Sequence, residues 1–238
     1  MNFRYTGFSS FLLTVGILLS STSVQAQSLW SSEVELGAVF TTGNTDQQTI
    51  KFRGEVVRDA EKWKHKGHVD SYSASKDGVK NAQREYLFYQ GDYKLSVGSL
   101  FGRVAYENDK FNGYDYQADV TFGYSRPLYD NGPHKLSGDA GIGYRISEFP
   151  NGTSDNEGIV RLAMDYVWKI SENAQFKQLL STEIGSDSTI SRSESSVSAS
   201  IVGDLAMKFS VNVKNNSDVP VGTKKTDTET AVTLVYKF

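Results

Sequence analysis

Residues 205–213 read Leu-Ala-Met-Lys-Phe-Ser-Val-Asn-Val, and this short run decides the fold. Leu205, Met207, Phe209, Val211 and Val213 fall at every second position, with Ala206, Lys208, Ser210 and Asn212 between them. Successive side chains of a strand point to opposite sides, so a period of two marks a strand with one apolar and one polar face. The pattern recurs elsewhere in the chain. Leu136, Gly138, Ala140, Ile142, Tyr144 and Ile146 oppose Asp139, Gly141, Gly143 and Arg145. Val160, Leu162, Met164, Tyr166, Trp168 and Ile170 oppose Arg161, Asp165 and Lys169. The chain ends with Val232, Leu234, Tyr236 and Phe238 set against Thr233 and Lys237.

Turn-forming clusters separate these runs, among them Thr42–Thr45, Ser75–Ala82, Arg126–His134, Gly185–Arg192 and Gly203-Asp204. They divide the chain into twelve strands, predicted at 31–41, 47–58, 63–74, 83–95, 100–108, 116–125, 135–146, 157–170, 175–184, 194–202, 205–214 and 227–238. A soluble barrel or sandwich would turn the apolar faces inward. Three features point the other way. The polar faces carry many charges, such as Lys51, Arg53 and Glu55 on one run and Lys64, Lys66 and Asp70 on the next. No long apolar run occurs beyond the first residues, as expected where strands alternate lipid-facing and lumen-facing side chains. Trp63, Tyr93, Tyr124, Trp168, Phe176, Tyr236 and Phe238 all fall at one end of their strands, as an interfacial girdle requires. The expected fold is all-β, a closed antiparallel up-and-down transmembrane β-barrel of about twelve strands. An even strand number puts both termini on the periplasmic side. Periplasmic turns should then be short, with Arg126–His134 the exception. The outer loops 109–115, 147–156, 185–193 and 215–225 should be longer, and Thr42–Asp46 short.

Composition agrees. The 238 residues include 21 Gly, 13 Tyr and 13 Phe but only 4 Pro, a balance that favours strands. With 25 basic and 28 acidic residues the net charge is −3, which argues against a nucleic-acid partner held by bulk positive charge. There is no cysteine, which removes thiolate metal sites, thiol redox chemistry and disulfides. The first residues have the form of a secretory signal. Arg4 supplies the positive charge, Phe8–Leu19 the apolar stretch, and Val24-Gln25-Ala26 the cleavage site. The apolar stretch is too short to span a bilayer as a helix, which needs about 20 residues. Residues 1–26 are therefore expected to be removed after Ala26, leaving 27–238 as the barrel, localised to the outer membrane.

Val232, Leu234, Tyr236 and the terminal Phe238 resemble the signal by which outer-membrane barrels are recognised by their insertion machinery. Four stretches carry a wider likeness: ELGAVFTTGNTD (Glu35–Asp46), FNGYDYQADVTFGY (Phe111–Tyr124), EIGSDST (Glu183–Thr189) and NSDVPVGTKKTDTETAVTLVYKF (Asn216–Phe238). Through them the chain resembles a Gram-negative family of salt-induced outer-membrane proteins of unknown function. The resemblance implies an outer-membrane barrel and a link to salt or osmotic stress. It implies no catalytic residue and no cofactor, because the family has no assigned activity.

The candidate site is the polar face. Symmetry of the first hairpin about Asn44 sets Glu35 opposite Arg53 and Glu33 opposite Glu55 toward the lumen, with Leu36 opposite Phe52 toward lipid. Asp70, Arg103, Asp119, Asp139, Arg145, Arg161, Asp165, Glu183 and Lys208 are the further inward charges expected in mid-strand. They read in two ways: the lining of a narrow, selective channel, or an ion-paired plug that lets nothing pass. Barrel size does not decide, since about eight strands are filled and 16–18 leave a channel. An outer-membrane lipid enzyme is a third reading, disfavoured because His65, His68 and His134 are all expected near the periplasmic end and no His-x-Ser occurs. His65 and His68 face opposite sides of their strand and cannot share a metal. The expected partners are outer-membrane lipid, lipopolysaccharide near Asp109, Asp115, Asp155 and Glu157 or Lys224 and Lys225, and the insertion machinery. The chain is expected to act as a monomer.

Overall fold

The computed structural model describes residues 29–41, 47–109, 113–219 and 223–238. The expected signal segment 1–26, the 42–46 connection and parts of the expected outer loops, 110–112 and 220–222, lie outside them. The chain forms twelve strands: β1 (Trp30–Thr41), β2 (Gln47–Asp59), β3 (Trp63–Lys76), β4 (Val79–Lys94), β5 (Ser99–Asp109), β6 (Tyr116–Asp130), β7 (His134–Glu148), β8 (Ser154–Lys169), β9 (Ala174–Gly185), β10 (Thr189–Val202), β11 (Leu205–Asn216) and β12 (Thr226–Lys237). Each pairs with its neighbours in sequence, and β1 also pairs with β12, closing the sheet into a barrel. Closure leaves no edge strand with unpaired backbone groups, the condition a sheet must meet to sit in hydrocarbon. The closing seam is short: its register runs only from Glu33↔Lys237 to Leu36↔Leu234. Phe238 extends it, its N–H donating to the Ser32 carbonyl at 2.9 Å.

The first hairpin has the expected register, with Glu35↔Arg53, Glu33↔Glu55 and Leu36↔Phe52. Several connections are tighter than expected. The β3–β4 connection is the two-residue turn Asp77-Gly78, both at positive φ (50° and 76°), so β4 starts at Val79 rather than at residue 83. Asp-Gly is a strong signal for this turn, because Gly enters the left-handed region without steric cost. Strand β6 continues to Asp130 through an irregularity at Pro127/Tyr129, so the supposed long periplasmic connection 126–134 shrinks to residues 131–133. In that turn the Asp130 carboxylate accepts from the Gly132 N–H at 3.0 Å and faces Lys135 at 3.3 Å, and these hold its pKa below the ordinary value. His134 is thus the first residue of β7, stacked on Tyr166 and Trp168. Likewise β10 begins at Thr189, and the long outer loop expected over 185–193 is residues 186–188. The physical reason is common to all three. Past the bilayer a strand keeps its backbone ladder but loses the need for apolar side chains, so its polar ends resemble loops in sequence.

The faces are inverted relative to a soluble protein. Ile142 is 71% exposed and Phe122 63%, whereas Glu35 is 0% and Arg145 1%. Most of the exposed apolar side chains are alternating outward positions of the strands, and they form a belt around the barrel. A belt of that extent is stable in lipid and not in water. Aromatic rings bound it. At the end holding the chain termini, Trp63 meets Tyr93 at 5.1 Å, Tyr166 meets Phe176 at 6.2 Å and Tyr236 meets Phe238 at 4.8 Å. At the opposite end Tyr106 stacks on Tyr116 at 5.7 Å. Tyr116 and Tyr124 lie eight positions apart on β6. At about 3.4 Å per residue and a tilt of about 40°, that separates the two girdles by roughly 20 Å, near the apolar band of outer-membrane barrels.

Candidate functional site

Most of the candidate charges meet inside the barrel. One cluster joins strands β1–β4 to β10–β12. Arg53 donates to Asp70 at 2.9 Å and to Glu194 at 2.8 Å, and lies 3.8 Å from Glu35. Lys208 bridges Glu35 at 3.0 Å and Glu194 at 2.9 Å. Arg84 bridges Asp70 and Glu229, each at 3.0 Å, and Lys51 pairs with Glu229. A second cluster joins β5–β9 to β10 and β11. Glu183 lies 2.6 Å from Arg161, 3.3 Å from Arg192 and 3.7 Å from Arg145. Arg192 also pairs with Glu107 at 2.6 Å, and Arg103 pairs with Asp119 at 3.0 Å. Tyr86 on β4 extends the second cluster, accepting from Arg103 and lying beneath the Arg192 guanidinium at 5.5 Å.

One pair defines the geometry. Strands β5 and β11 stand on opposite walls, six places apart in the ring of twelve, yet Lys214 Nζ is 2.8 Å from Glu107 Oε1. Long side chains from opposite walls therefore meet at the axis. Buried charge is tolerated only when paired and hydrogen-bonded, and acids and bases here alternate so that each carboxylate has at least one cation. In an open pore these groups would face water.

The end away from the termini is also covered. The Arg145 guanidinium donates to Glu157 at 3.1 Å from Nε and to the Ser188 carbonyl at 2.8 Å. The Glu157 carboxylate in turn accepts from the Asp187 and Ser188 N–H groups at 2.9 and 3.3 Å, which holds the 186–188 turn over the mouth. Tyr114, buried against Phe149, donates to the Asp218 carbonyl at 3.0 Å and links two distal loops. The end near the termini is looser. Glu55 with Lys66 and His68, and Lys177 with Asp165 at 3.9 Å, are partly exposed.

Two predicted residues stand apart from the network. Asp139 accepts from Ser125, and among the described residues Asp165 has one ion pair, with Lys177; both lie in this looser half. Sequence reasoning missed Lys51's partner Glu229, and Arg84, Glu107, Arg192, Glu194 and Lys214. Arg192 had been placed in a turn, and β10 carries Ser191, Ser193 and Ser195 outward, so no apolar alternation marks its faces. His65 points outward, stacked on Trp63, while His68 points inward to Glu55. Among the described residues no group of three or more His, Cys, Asp or Glu is arranged to hold a metal ion.

Residues 34–238 match the family described as "Protein of unknown function, DUF481". The chain belongs to that family. A curated relative, the uncharacterized protein YdiY of Escherichia coli K12, is 29% identical over 140 residues, 58% of this chain and 55% of that protein. The chain thus spans about half the length of this family relative. Among solved structures, the translocator domain of autotransporter NalP from Neisseria meningitidis aligns over 88% of each chain at 10% identity, with a TM-score of 0.49. An anion-selective porin from Comamonas acidovorans covers 88% of this chain and 98% of its own at 11% identity and a TM-score of 0.43. The KdgM porin covers 87% and 99% at 15% identity and a TM-score of 0.43.

Proposed function

We propose that this protein is a sealed barrel of the Gram-negative outer membrane, non-conducting at rest, which serves the envelope as a structural or interaction protein. The contact between Lys214 and Glu107 from opposite walls carries this reading. A channel lining of the same residues would keep them in water, and here Glu35, Lys51, Arg145 and Glu183 are buried. In this reading the chain is exported by a signal cleaved after Ala26 and recognised for insertion through Val232, Leu234, Tyr236 and Phe238. It sits as a monomer among lipid and lipopolysaccharide with its termini in the periplasm, and has no enzymatic role. The exposure of Val232, Leu234, Tyr236 and Phe238 on the outward face supports the insertion role. The link to salt stress belongs to the same reading, because a barrel that adds no leak can be abundant during osmotic shock.

Liposome swelling tests it. Proteoliposomes holding the refolded 27–238 chain, shrunk in arabinose, should reswell no faster than protein-free vesicles. Faster swelling that scales with protein content would replace the plug by a channel.

A further inference from the structure

The outward face of β1–β5 carries a groove that the sealed lumen does not explain. Its floor is made of backbone, because Gly54 on β2 and Gly67 on β3 point to lipid without side chains. Val34, Val56, Tyr89 and Tyr106 wall it, and its volume is about 690 Å³. The lining is almost wholly apolar and lies within the belt, between the girdles. A depression in the lipid-facing wall fits a flexible hydrocarbon chain better than it fits water.

Directly below, toward the termini-end girdle, sits a polar cluster. Arg58 is outward on β2 and paired in register with His65 on β3. Its guanidinium lies over the Trp30 ring at 5.7 Å, and no carboxylate pairs with it among the described residues. His65 stacks on Trp63 at 5.9 Å, and its Nδ1 is hydrogen-bonded to the Tyr89 hydroxyl at 2.7 Å. That bond fixes the ring and leaves Nε2 without a hydrogen-bond partner among the described residues. The same Tyr89 walls the groove, so headgroup cluster and groove share a side chain. A guanidinium and an imidazole N–H at headgroup depth, framed by two indoles, are complementary to a phosphodiester.

We propose that this face holds one phospholipid of the periplasmic leaflet, its phosphate between Arg58 and His65 and one acyl chain lying over Gly54 and Gly67. The site uses only the outer wall, so it stands or falls independently of whether the lumen conducts. Lipid in contact with the rest of the belt is an ordinary solvent; this molecule is held at both ends of its structure, by charge at the head and by shape along the tail.

Native mass spectrometry of the full mature chain, delipidated in a maltoside detergent and titrated with dioleoyl phosphatidylethanolamine, tests the site. The wild type should retain one lipid at a concentration about tenfold below that needed by the Arg58→Gln/His65→Gln double variant. Gly67→Leu, which fills the groove while leaving Arg58 and His65 in place, should show the same loss. Heat-modifiable migration on gels establishes that each variant is folded, and the head-group variant alone suffices if Gly67→Leu does not assemble. Equal lipid uptake by wild type and double variant overturns the proposal. So does a loss confined to the double variant, or displacement of the lipid by millimolar inorganic phosphate, since either describes an anion site and not a lipid site.

Discussion

Glu183 shows what a single side chain does in this lumen. It is 2% exposed and faces three guanidiniums, those of Arg145, Arg161 and Arg192. Removing one partner of a buried ion pair strands the other, which costs about 3–5 kcal/mol, whereas exposed pairs contribute about 1 kcal/mol or less. Glu183→Gln should therefore lower unfolding stability by about 3 kcal/mol, read as a shift of the urea midpoint in lipid vesicles. Lys135→Gln, which breaks the exposed pair with Asp130, should shift it by no more than about 1 kcal/mol. Equal effects from the two would mean the lumen is wetter than its packing indicates. At this scale the sequence was informative but local. Alternation placed Glu35 and Arg53 side by side on the inner face, and the structure puts them 3.8 Å apart. It could not supply Glu194, which binds Arg53 more closely, because that contact depends on how far the closed sheet curves.

Strands and their packing raise a different question: why β6 and β7 carry Gly123, Gly141 and Gly143 toward the lumen. Phe101 from β5 is buried there and lies across the first two. A Cβ on Gly123 would stand 2.2 Å from the Ala140 carbonyl oxygen and 2.8 Å from the Phe101 ring. The carbonyl cannot move without parting the β6–β7 ladder, and the Phe101 ring is buried against Gly141 as well. Gly158 on β8 is the contrast, with nothing within 4 Å of such a Cβ. Gly123→Ala should destabilise the barrel by about 1–3 kcal/mol, as overpacking does. Gly158→Ala should stay within about 0.5 kcal/mol of wild type. Heat-modifiable gel migration after graded urea exposure reads both. Alternation put Gly141 and Gly143 on the same face as Asp139 and Arg145; the ring that packs there was not legible, because Phe101 comes from a strand one hairpin away. Element number and order were legible from turns and alternation. Element ends were legible only inside the belt, where lipid enforces apolar side chains. Outside it, Val79–Gln83 and Thr189–Ser193 pair as strand with no apolar pattern to announce them.

For the whole molecule, strand number set a size at which side chains from opposite walls just meet. With twelve strands the axis is within reach of Lys214 and Glu107, so charge chosen for one face closes the barrel's interior. Composition and pattern left both channel and plug open, since both require charged inner faces. Burial and cross-lumen distances are what favour the plug, and they exist only once the sheet has closed. Among the guanidiniums that cross the lumen are Arg53, reaching from β2 to Glu194, and Arg192, reaching from β10 to Glu107. Single-channel recording across a planar bilayer in 1 M potassium chloride measures the consequence directly. The refolded wild-type chain should give no conductance steps, and the Arg53→Ala/Arg192→Ala variant should give small ones as water enters around the stranded carboxylates. Stable, regular steps from the wild type would contradict the sealed lumen.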